Sequence, residues 1–391
     1  MKICFLVIDG MNDLPIKQLS NKTPLEVAKT ETIDFLASKG SYGLIKLFDF
    51  APESDEAMMA LLDLNPEKNF PGRGILEAYG AGLALERNAI YFRCNVVKVK
   101  GKRILDFQAK ISDKLKKKIE KLINSIDLGI NFKFKFTKGH RAVLIFKGKN
   151  FSDAVSNTNP VYVIERNKLS KALPRPKSKF YFIKKAIALK KTKNAIFTAK
   201  KLNEFTEKVL ELLKKYNLAI VVRGASKHGR WFNELKKYKK YREWALISEM
   251  PVEIAIGKLV GMKIYNYEQS YIKLVKKVLN LLRKHNVYLQ IKGPDAHGHR
   301  GDYRGKIKSI EKIDRKFLRP LIKGLLGKNI QLIITCDHIT SSKHLSHYKG
   351  PVTFLKVNLR NIKKIEKTKI NFSEKLCRSR KIIKPKFLLK L

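Results

Sequence analysis

Acidic residues are scarce in this chain: 34 Asp and Glu stand against 83 Lys and Arg in 391 residues, a formal net charge of +49. Such an excess points toward an anionic partner, whether nucleic acid, an anionic membrane surface or an acidic substrate. Cysteine is equally sparse. The four, Cys4, Cys94, Cys336 and Cys377, lie far apart with no CxxC, which argues against a zinc ribbon or a disulfide framework and fits a reducing, cytoplasmic setting. Long apolar runs are missing as well. The opening stretch, Met1 to Asp9, holds one lysine and ends on an acid, too short and too abruptly charged for a signal peptide or a membrane span. No fixed-period repeat, zinc finger, compact RNP aromatic motif or helix-turn-helix pattern is found, so a nucleic-acid-binding reading rests on charge alone.

What is present is material for a large core. With 44% hydrophobic and 30% charged residues, the chain is neither a disordered tail nor a fibrous repeat, and its length suggests about two or three domains. The charge is unevenly placed. Residues 1–100 carry 12 basic and 13 acidic side chains, net −1, which leaves +50 for the rest. Residues 355–391 alone carry 13 basic against 2 acidic, net +11, a cationic C-terminal surface or tail.

Ile3 to Ile8 is a continuous apolar run followed by Asp9-Gly10, the pattern of a parallel strand buried on both faces with a functional loop at its carboxyl end. Thr23-Pro24 before Leu25 to Leu36 predicts a helix, with Thr as cap and Pro at the first helical position. Tyr288 to Ile291 and Ile330 to Thr335 are further short strands, each followed by an Asp/His cluster. Between these pieces the texture changes. From Val96 to about Ile183, short β-prone stretches such as Phe132 to Phe136 and Ala142 to Phe146 are broken by Lys, Gly and Pro, with a hinge-like segment at Pro174 to Lys177. An amphipathic helix from Asn203 to Tyr216 and a strand from Ala219 to Val222 follow. The expected organisation is an α/β core with a mainly parallel sheet, interrupted by a smaller α+β domain: residues 1–95 and 216–360 form the core, 96–215 the insertion, and 361–391 a basic C-terminal segment.

Chemistry concentrates in the last third. Six of the eight histidines, His285, His297, His299, His338, His344 and His347, fall in a window of 63 residues. They accompany Asp295-Ala-His-Gly-His299 and Asp337-His338, and with Asp9 they supply the imidazoles and carboxylates that suit Zn, Mn or related divalent ions. A pair of such ions can clamp both oxygens of a phosphoryl transfer. Ser54, in Pro52-Glu-Ser-Asp-Glu56, reads either as a helix-cap serine or as a nucleophile whose alkoxide is generated by a metal.

Taken in order, these residues resemble the archaeal-type cofactor-independent phosphoglycerate mutases of the alkaline phosphatase superfamily. The matching pieces run nearly end to end: Asp9-Gly-Met-Asn-Asp13, Thr23-Pro-Leu-Glu26, Ser54-Asp55, Gly72-Arg-Gly74, Phe92-Arg-Cys-Asn95, Asn203-Glu-Phe205, Arg223-Gly-Ala225, Lys292, Asp295-Ala-His-Gly-His299 and Asp337-His338. The resemblance implies an alkaline-phosphatase-like core and two divalent ions (Mn, Zn, Mg or Co), with no organic cofactor. It places Asp9, Ser54, Asp337 and His338 at one ion, and Asp295, His299 and His347 at the other. His347 is preferred to His344 because Pro351-Val352 follows it at the family's distance, and His297 is left exposed or supporting. The implied reaction interconverts 3-phosphoglycerate and 2-phosphoglycerate through a phosphoserine at Ser54. Lys292, Arg223, Arg141, Arg93 and Arg73 are candidate contacts for phosphate or carboxylate, since guanidinium forks hold such anions bidentately.

The sequence also departs from the family. Glu53 replaces the glycine usual before the nucleophile, Asp106 to Ile111 keeps Lys110 but no arginine pair, an acidic segment becomes Asn157-Thr-Asn-Pro160, and Ile339-Thr-Ser341 replaces Ser-Thr-Pro. These changes touch substrate recognition more than the metal set. They keep open a related phosphatase or phosphotransferase acting on another small phosphoester, and a basic nucleic-acid-binding paralogue without mutase chemistry.

Overall fold

The structure, a computed structural model, describes residues 1–176 and 178–389. A seven-stranded sheet runs in the order β12 (Lys263–Tyr265), β11 (Trp244–Ile247), β13 (Asn286–Ile291), β1 (Lys2–Ile8), β14 (Ile330–Thr335), β17 (Val352–Asn358) and β2 (Ser41–Ile45). Neighbours from β12 through β14 are parallel, and only β17 and β2 pair antiparallel at one edge. The apolar run at the start of the chain is buried because β1 is central, flanked by β13 and β14. Its register sets Ile8 beside Ile291 and Val7 beside Thr335. The residues leaving the carboxyl ends of these three strands, Asp9, Lys292 and Asp337, therefore emerge along one edge, where parallel sheets bind ligands.

A second sheet is built from β5 (Phe132–Phe136), β6 (Arg141–Lys147), β3 (Ala89–Lys100), β4 (Arg103–Asp106) and β9 (Tyr181–Phe182), with β10 (Leu218–Lys227) antiparallel to β3. Its strands are drawn from residues 89 to 227, and the chain re-enters the first sheet at β11. The pleat gives this sheet two characters. Phe92, Cys94 and Val96 point into a core with Ile119, Ile123, Leu202 and Phe205, from the helices Asp113–Asn124 and Lys193–Leu212. Tyr91 and Val143 instead join the core of the first unit, so Arg93 and Asn95, alternating with the first set, face that unit. Two hairpins complete the strands: β7 (Tyr162–Arg166) with β8 (Leu169–Ala172), and β15 (Ile339–Ser341) with β16 (Ser346–Tyr348).

The helix expected from Leu25 to Leu36 is split. Thr23 caps Pro24–Val27 in a reciprocal box with Glu26, Ala28 is extended, and a second helix runs from Glu31 to Lys39. Distant acceptors stabilise the break: Glu311 takes the Lys29 amide, and Asp314 takes those of Thr32 and Ile33. The helix expected from Asn203 begins ten residues earlier, at Lys193, with Thr192 as its cap. The basic C-terminal segment packs rather than trails. Phe372, Cys377 and Leu388 are buried, and Glu374 accepts from Asn12, Asp13 and Thr23 beside the opening strand. All four cysteines are free and buried. No helix among the described residues is long and apolar enough to cross a membrane.

Candidate metal and anion site

Asp9 follows the central strand into a turn that only glycine can continue. Gly10 has φ +60°, and a Cβ there would stand 2.5 Å from Thr340 Oγ1 and 2.7 Å from Asp295 Cα. The turn thus draws the ends of three strands to within contact. Gln290 donates to Asp9 Oδ2 and Asp337 Oδ2, each at 3.1 Å, which holds the two carboxylates side by side. Asp337 Oδ1 also accepts the amides of Gly10 and His338. Burial, reinforced by the neighbouring Asp9 charge, pushes the Asp337 carboxyl up to about 8, the response of a crowded, buried carboxylate pair that the nearby Lys292 only partly relieves.

The histidines are oriented by their outer nitrogens. His347 Nδ1 lies 2.7 Å from the Pro52 carbonyl, to which it can only donate, so in the neutral ring its Nε2 carries the lone pair. Thr340 donates its single proton to Asp295 Oδ1 at 2.8 Å and therefore accepts from His338 Nδ1 at 3.0 Å. That leaves His338 Nε2 as an acceptor aimed at the cluster. Around these atoms, His338 Nε2 lies 3.7 Å from Asp9 Oδ1 and 3.2 Å from Asp337 Oδ2. Asp295 Oδ1 lies 3.3 Å from His299 Nε2 and 3.5 Å from His347 Nε2. Burial holds His338 and His299 below the ordinary imidazole value, which favours the neutral form, and in His338 that form presents Nε2 as a ligand atom.

Two ligand groups result, Asp295 with His299 and His347, and Asp9 with Asp295 and His338, each with its donor atoms within 4.8 Å of one another. Asp295 stands in both. Asp9 Oδ1 is buried and has no hydrogen-bond partner, a free oxygen on a carboxylate whose other oxygen is held by Gln290 and Lys292, and the kind of site a cation satisfies. The donor set of carboxylate oxygens and neutral imidazoles fits a pair of divalent ions, borderline to hard in character.

Ser54 opens the helix Ser54–Leu61, but it is not the cap. Glu53 takes that place in a capping box with Glu56, and the Ser54 hydroxyl is left to meet His338 Nε2 at 3.1 Å. His297 pairs with exposed Asp302, and His344 stacks on Tyr348; neither belongs to the ligand groups.

Beside the cluster lies a cleft of about 240 Å³ lined by Ser54 and by all five expected cations, Arg73, Arg93, Arg141, Arg223 and Lys292. Arg223 and Arg93 stand directly opposite each other on β10 and β3, and Arg141 pairs with Asn95 on the far side of β3. The sheet therefore offers three guanidiniums on one face, an arrangement that needs compensating charge. A bulge between Arg223 and Ser226, with Gly224 at φ +65° against the Arg73 side chain, aims Arg223 into the cleft. Lys292 Nζ donates to Asp9 Oδ2 and, at 3.2 Å, to Glu253 Oε1. His140 also lines the cleft, and burial together with Arg141 and Arg93 lowers it to about 2, so it is neutral. In the segment that lacks the family's arginine pair, Gln108 lines the cleft and exposed Lys110 does not.

Three residues of the site were not selected from sequence. Gln290 was masked by the apolar run around it, although a glutamine inside a doubly buried strand is itself a signal. Thr340 was visible only as a departure from the family pattern. Arg175, in the segment read as a hinge, reaches His299 Nδ1 at 2.6 Å and the Leu345 carbonyl.

The 2,3-bisphosphoglycerate-independent phosphoglycerate mutase family model matches residues 37–218. The chain is 32% identical to the mutase of that name from Aeropyrum pernix, over 91% of this chain and 90% of that protein. It is 30% identical to mutase 1 from Archaeoglobus fulgidus, over 90% and 88%. Among solved structures, a protein from Pyrococcus horikoshii superposes with a TM-score of 0.66 at 22% identity, covering 91% of this chain and 87% of that one. The cofactor-independent phosphoglycerate mutase from Thermoplasma acidophilum superposes with a TM-score of 0.54 at 22% identity over the full length of both. These two show the shared fold, an alkaline-phosphatase-like α/β core with its inserted α+β part. Identity of 32% sustained across nine-tenths of both partners reaches well beyond fold, and the chain belongs to the 2,3-bisphosphoglycerate-independent phosphoglycerate mutase family.

Proposed function

We propose that this enzyme interconverts 3-phosphoglycerate and 2-phosphoglycerate through a phosphoserine at Ser54, without a bisphosphoglycerate primer. The observation that carries the reading is the placement of the Ser54 hydroxyl, freed from capping by Glu53, against His338 at the junction of the two ligand groups and the cationic cleft. Asp9, Ser54, Asp337 and His338 would hold one divalent ion, and Asp295, His299 and His347 the other. Bound there, such ions supply Lewis acidity that lowers the serine pKa and neutralises phosphoryl oxygens.

The chain's own residues do the rest. Ser54 Oγ takes the phosphoryl group from the 3-oxygen, and the cationic face of the second sheet keeps the glycerate from leaving. The 2-hydroxyl then recovers the phosphate from Ser54, so a single pocket that retains the dephosphorylated partner makes the enzyme a mutase rather than a phosphatase. Residues 96–215, in the insertion, contribute Arg141 to that retention, and Arg93 and Arg223 flank it in sequence.

The test is turnover of 3-phosphoglycerate by the purified protein with Mn or Zn and no bisphosphoglycerate, following both 2-phosphoglycerate and free phosphate. We expect isomer without phosphate, and loss of at least about a thousandfold in kcat for Ser54→Ala with the fold intact. Free phosphate as the main product would favour a phosphatase. Isomerisation unaffected by Ser54→Ala would remove Ser54 as nucleophile.

A further inference from the structure

The cleft holds more positive charge than it can offer to a ligand, because much of it is already spoken for. Glu53 lies 3% exposed, directly before Ser54. Its two oxygens meet the Arg223 fork, Oε1 with Nη1 and Oε2 with Nη2, the latter at 2.8 Å. Its Oε2 is also 3.1 Å from Arg73 Nη1, which a second acid, Asp55, approaches to 2.6 Å. The Tyr162 ring covers the flat face of Arg223 at 3.8 Å. The fork of Arg223 is thus filled along its edge and stacked on its face, the geometry in which a guanidinium would otherwise hold a ligand carboxylate.

Arg93 is in the opposite condition. It is 2% exposed, and the carboxylate nearest it, Glu77, stands 3.8 Å from its Nε; that Nε lacks a hydrogen-bond partner as those of Arg223 and Arg73 do, but no carboxylate among the described residues meets the Arg93 fork. Arg141 forms no ion pair among the described residues, and its Nη1 rests on Met250 Sδ. A buried, incompletely paired guanidinium facing a cleft is costly unless an anion completes it.

We propose that Glu53 is a specificity-determining residue: it occupies Arg223 and Arg73 as an internal carboxylate and leaves Arg93, with Arg141, to receive a single anionic group on the non-reacting end of the substrate. The proposal rests on the phosphoester chemistry assigned to Ser54 and deepens it. The cleft then takes phosphomonoesters whose remainder carries one carboxylate, held on the β3–β6 side. It disfavours those with a second anionic group, which would meet the Glu53 charge.

Binding to the Mn-loaded protein tests this without turnover. The probes are 2-phosphoglycolate, which has a phosphate and a carboxylate but no second hydroxyl to accept phosphate, and ethyl phosphate, which lacks the carboxylate. Removing the Glu53 charge frees the Arg223 fork. Glu53→Gln is therefore expected to tighten 2-phosphoglycolate about tenfold or more, by the Coulomb energy of one charge at contact range, and to change ethyl phosphate by less than about threefold, since that ester has no group to place there. Unchanged 2-phosphoglycolate affinity, or equal weakening of both probes, would overturn the proposal. The variant Glu53→Gln/Arg223→Met removes both charges of the pair and guards against misfolding of the single variant. In it the gain given by Glu53→Gln is expected to vanish, so that 2-phosphoglycolate binds at least about tenfold more weakly than to Glu53→Gln, whereas a gain that persists without Arg223 would overturn the proposal, since the freed fork could not be its source. Binding of neither probe to the wild type would bring down the phosphoester assignment and this proposal with it, an outcome distinct from normal ethyl phosphate binding with no response to Glu53.

Discussion

One proton on Thr340 orients three side chains. Because it goes to Asp295, Thr340 must accept from His338, and His338 Nε2 is left with its lone pair toward Ser54 and Asp9. Partners of this kind around metal ligands are worth about 10–100-fold in metal affinity. Thr340→Val keeps the shape and removes both hydrogen bonds, so we expect it to weaken Mn binding within that range in a calorimetric titration, with Thr340→Ser restoring most of it. Equal affinities in all three proteins would show that the hydroxyl orients nothing. Glu53 belongs to the same level of description. Its sequence position says that a charge sits beside Ser54, but whether that charge faces the cleft or turns aside depends on Arg223, 170 positions away in the chain.

Asp314 shows what one buried carboxylate does for a helix. It sits in a π-turn, Asp314–Leu318, and accepts the amides of Thr32 and Ile33 at the start of the helix Glu31–Lys39, whose own N-cap Thr30 makes no capping bond. Burial raises its carboxyl to about 6, against the pull of those amides. A raised folded value means stability that is full below the unfolded value, about 3.9, and is lost as pH climbs through 6. Asp314→Asn cannot ionise. We therefore expect the stability cost of that substitution, read from denaturant unfolding, to shrink by about 2 kcal/mol between pH 4.5 and pH 7.5; a cost independent of pH would place the carboxyl in its ordinary range. The same helix shows where sequence reading stops. Thr23 and Pro24 announce a helix start because capping is local, and the strands at Ile3, Phe132, Tyr288 and Ile330 are legible because burial imposes their composition. The break after Val27 is not legible, since the groups that satisfy it, Glu311 and Asp314, come from the far end of the chain. The residues of the two candidate ligand groups could be read because strand ends and motif order mark them, whereas Gln290 and Arg175 needed the third dimension.

The net charge of +49 is not a property of the site. Apart from Arg93 and Arg141 in the cleft, the cations at and beneath the site are matched locally: Arg73 and Arg223 by Glu53, Lys292 by Asp9 and Glu253, and Lys306, fully buried, by Asp13 and the carbonyls of Asn12 and Thr340. The first 100 residues, which supply Asp9 and Ser54, are nearly neutral, at 12 basic against 13 acidic. The excess therefore lies on solvated faces, including the docked C-terminal segment. Many surface ammonium groups of one sign repel one another and oppose the compact state, whereas exposed ion pairs such as Lys102 with Glu207 return about 0–1 kcal/mol each and are themselves screened. With 83 basic against 34 acidic side chains, repulsion summed over the whole surface is expected to outweigh the pairs. Raising NaCl from about 10 to 150 mM shortens the screening length from about 30 to 8 Å, less than the width of the molecule, so the thermal midpoint should rise by several degrees over that interval and level off beyond it. A midpoint that falls with added salt would mean that the exposed pairs, rather than the unbalanced lysines, govern the electrostatic stability of this surface.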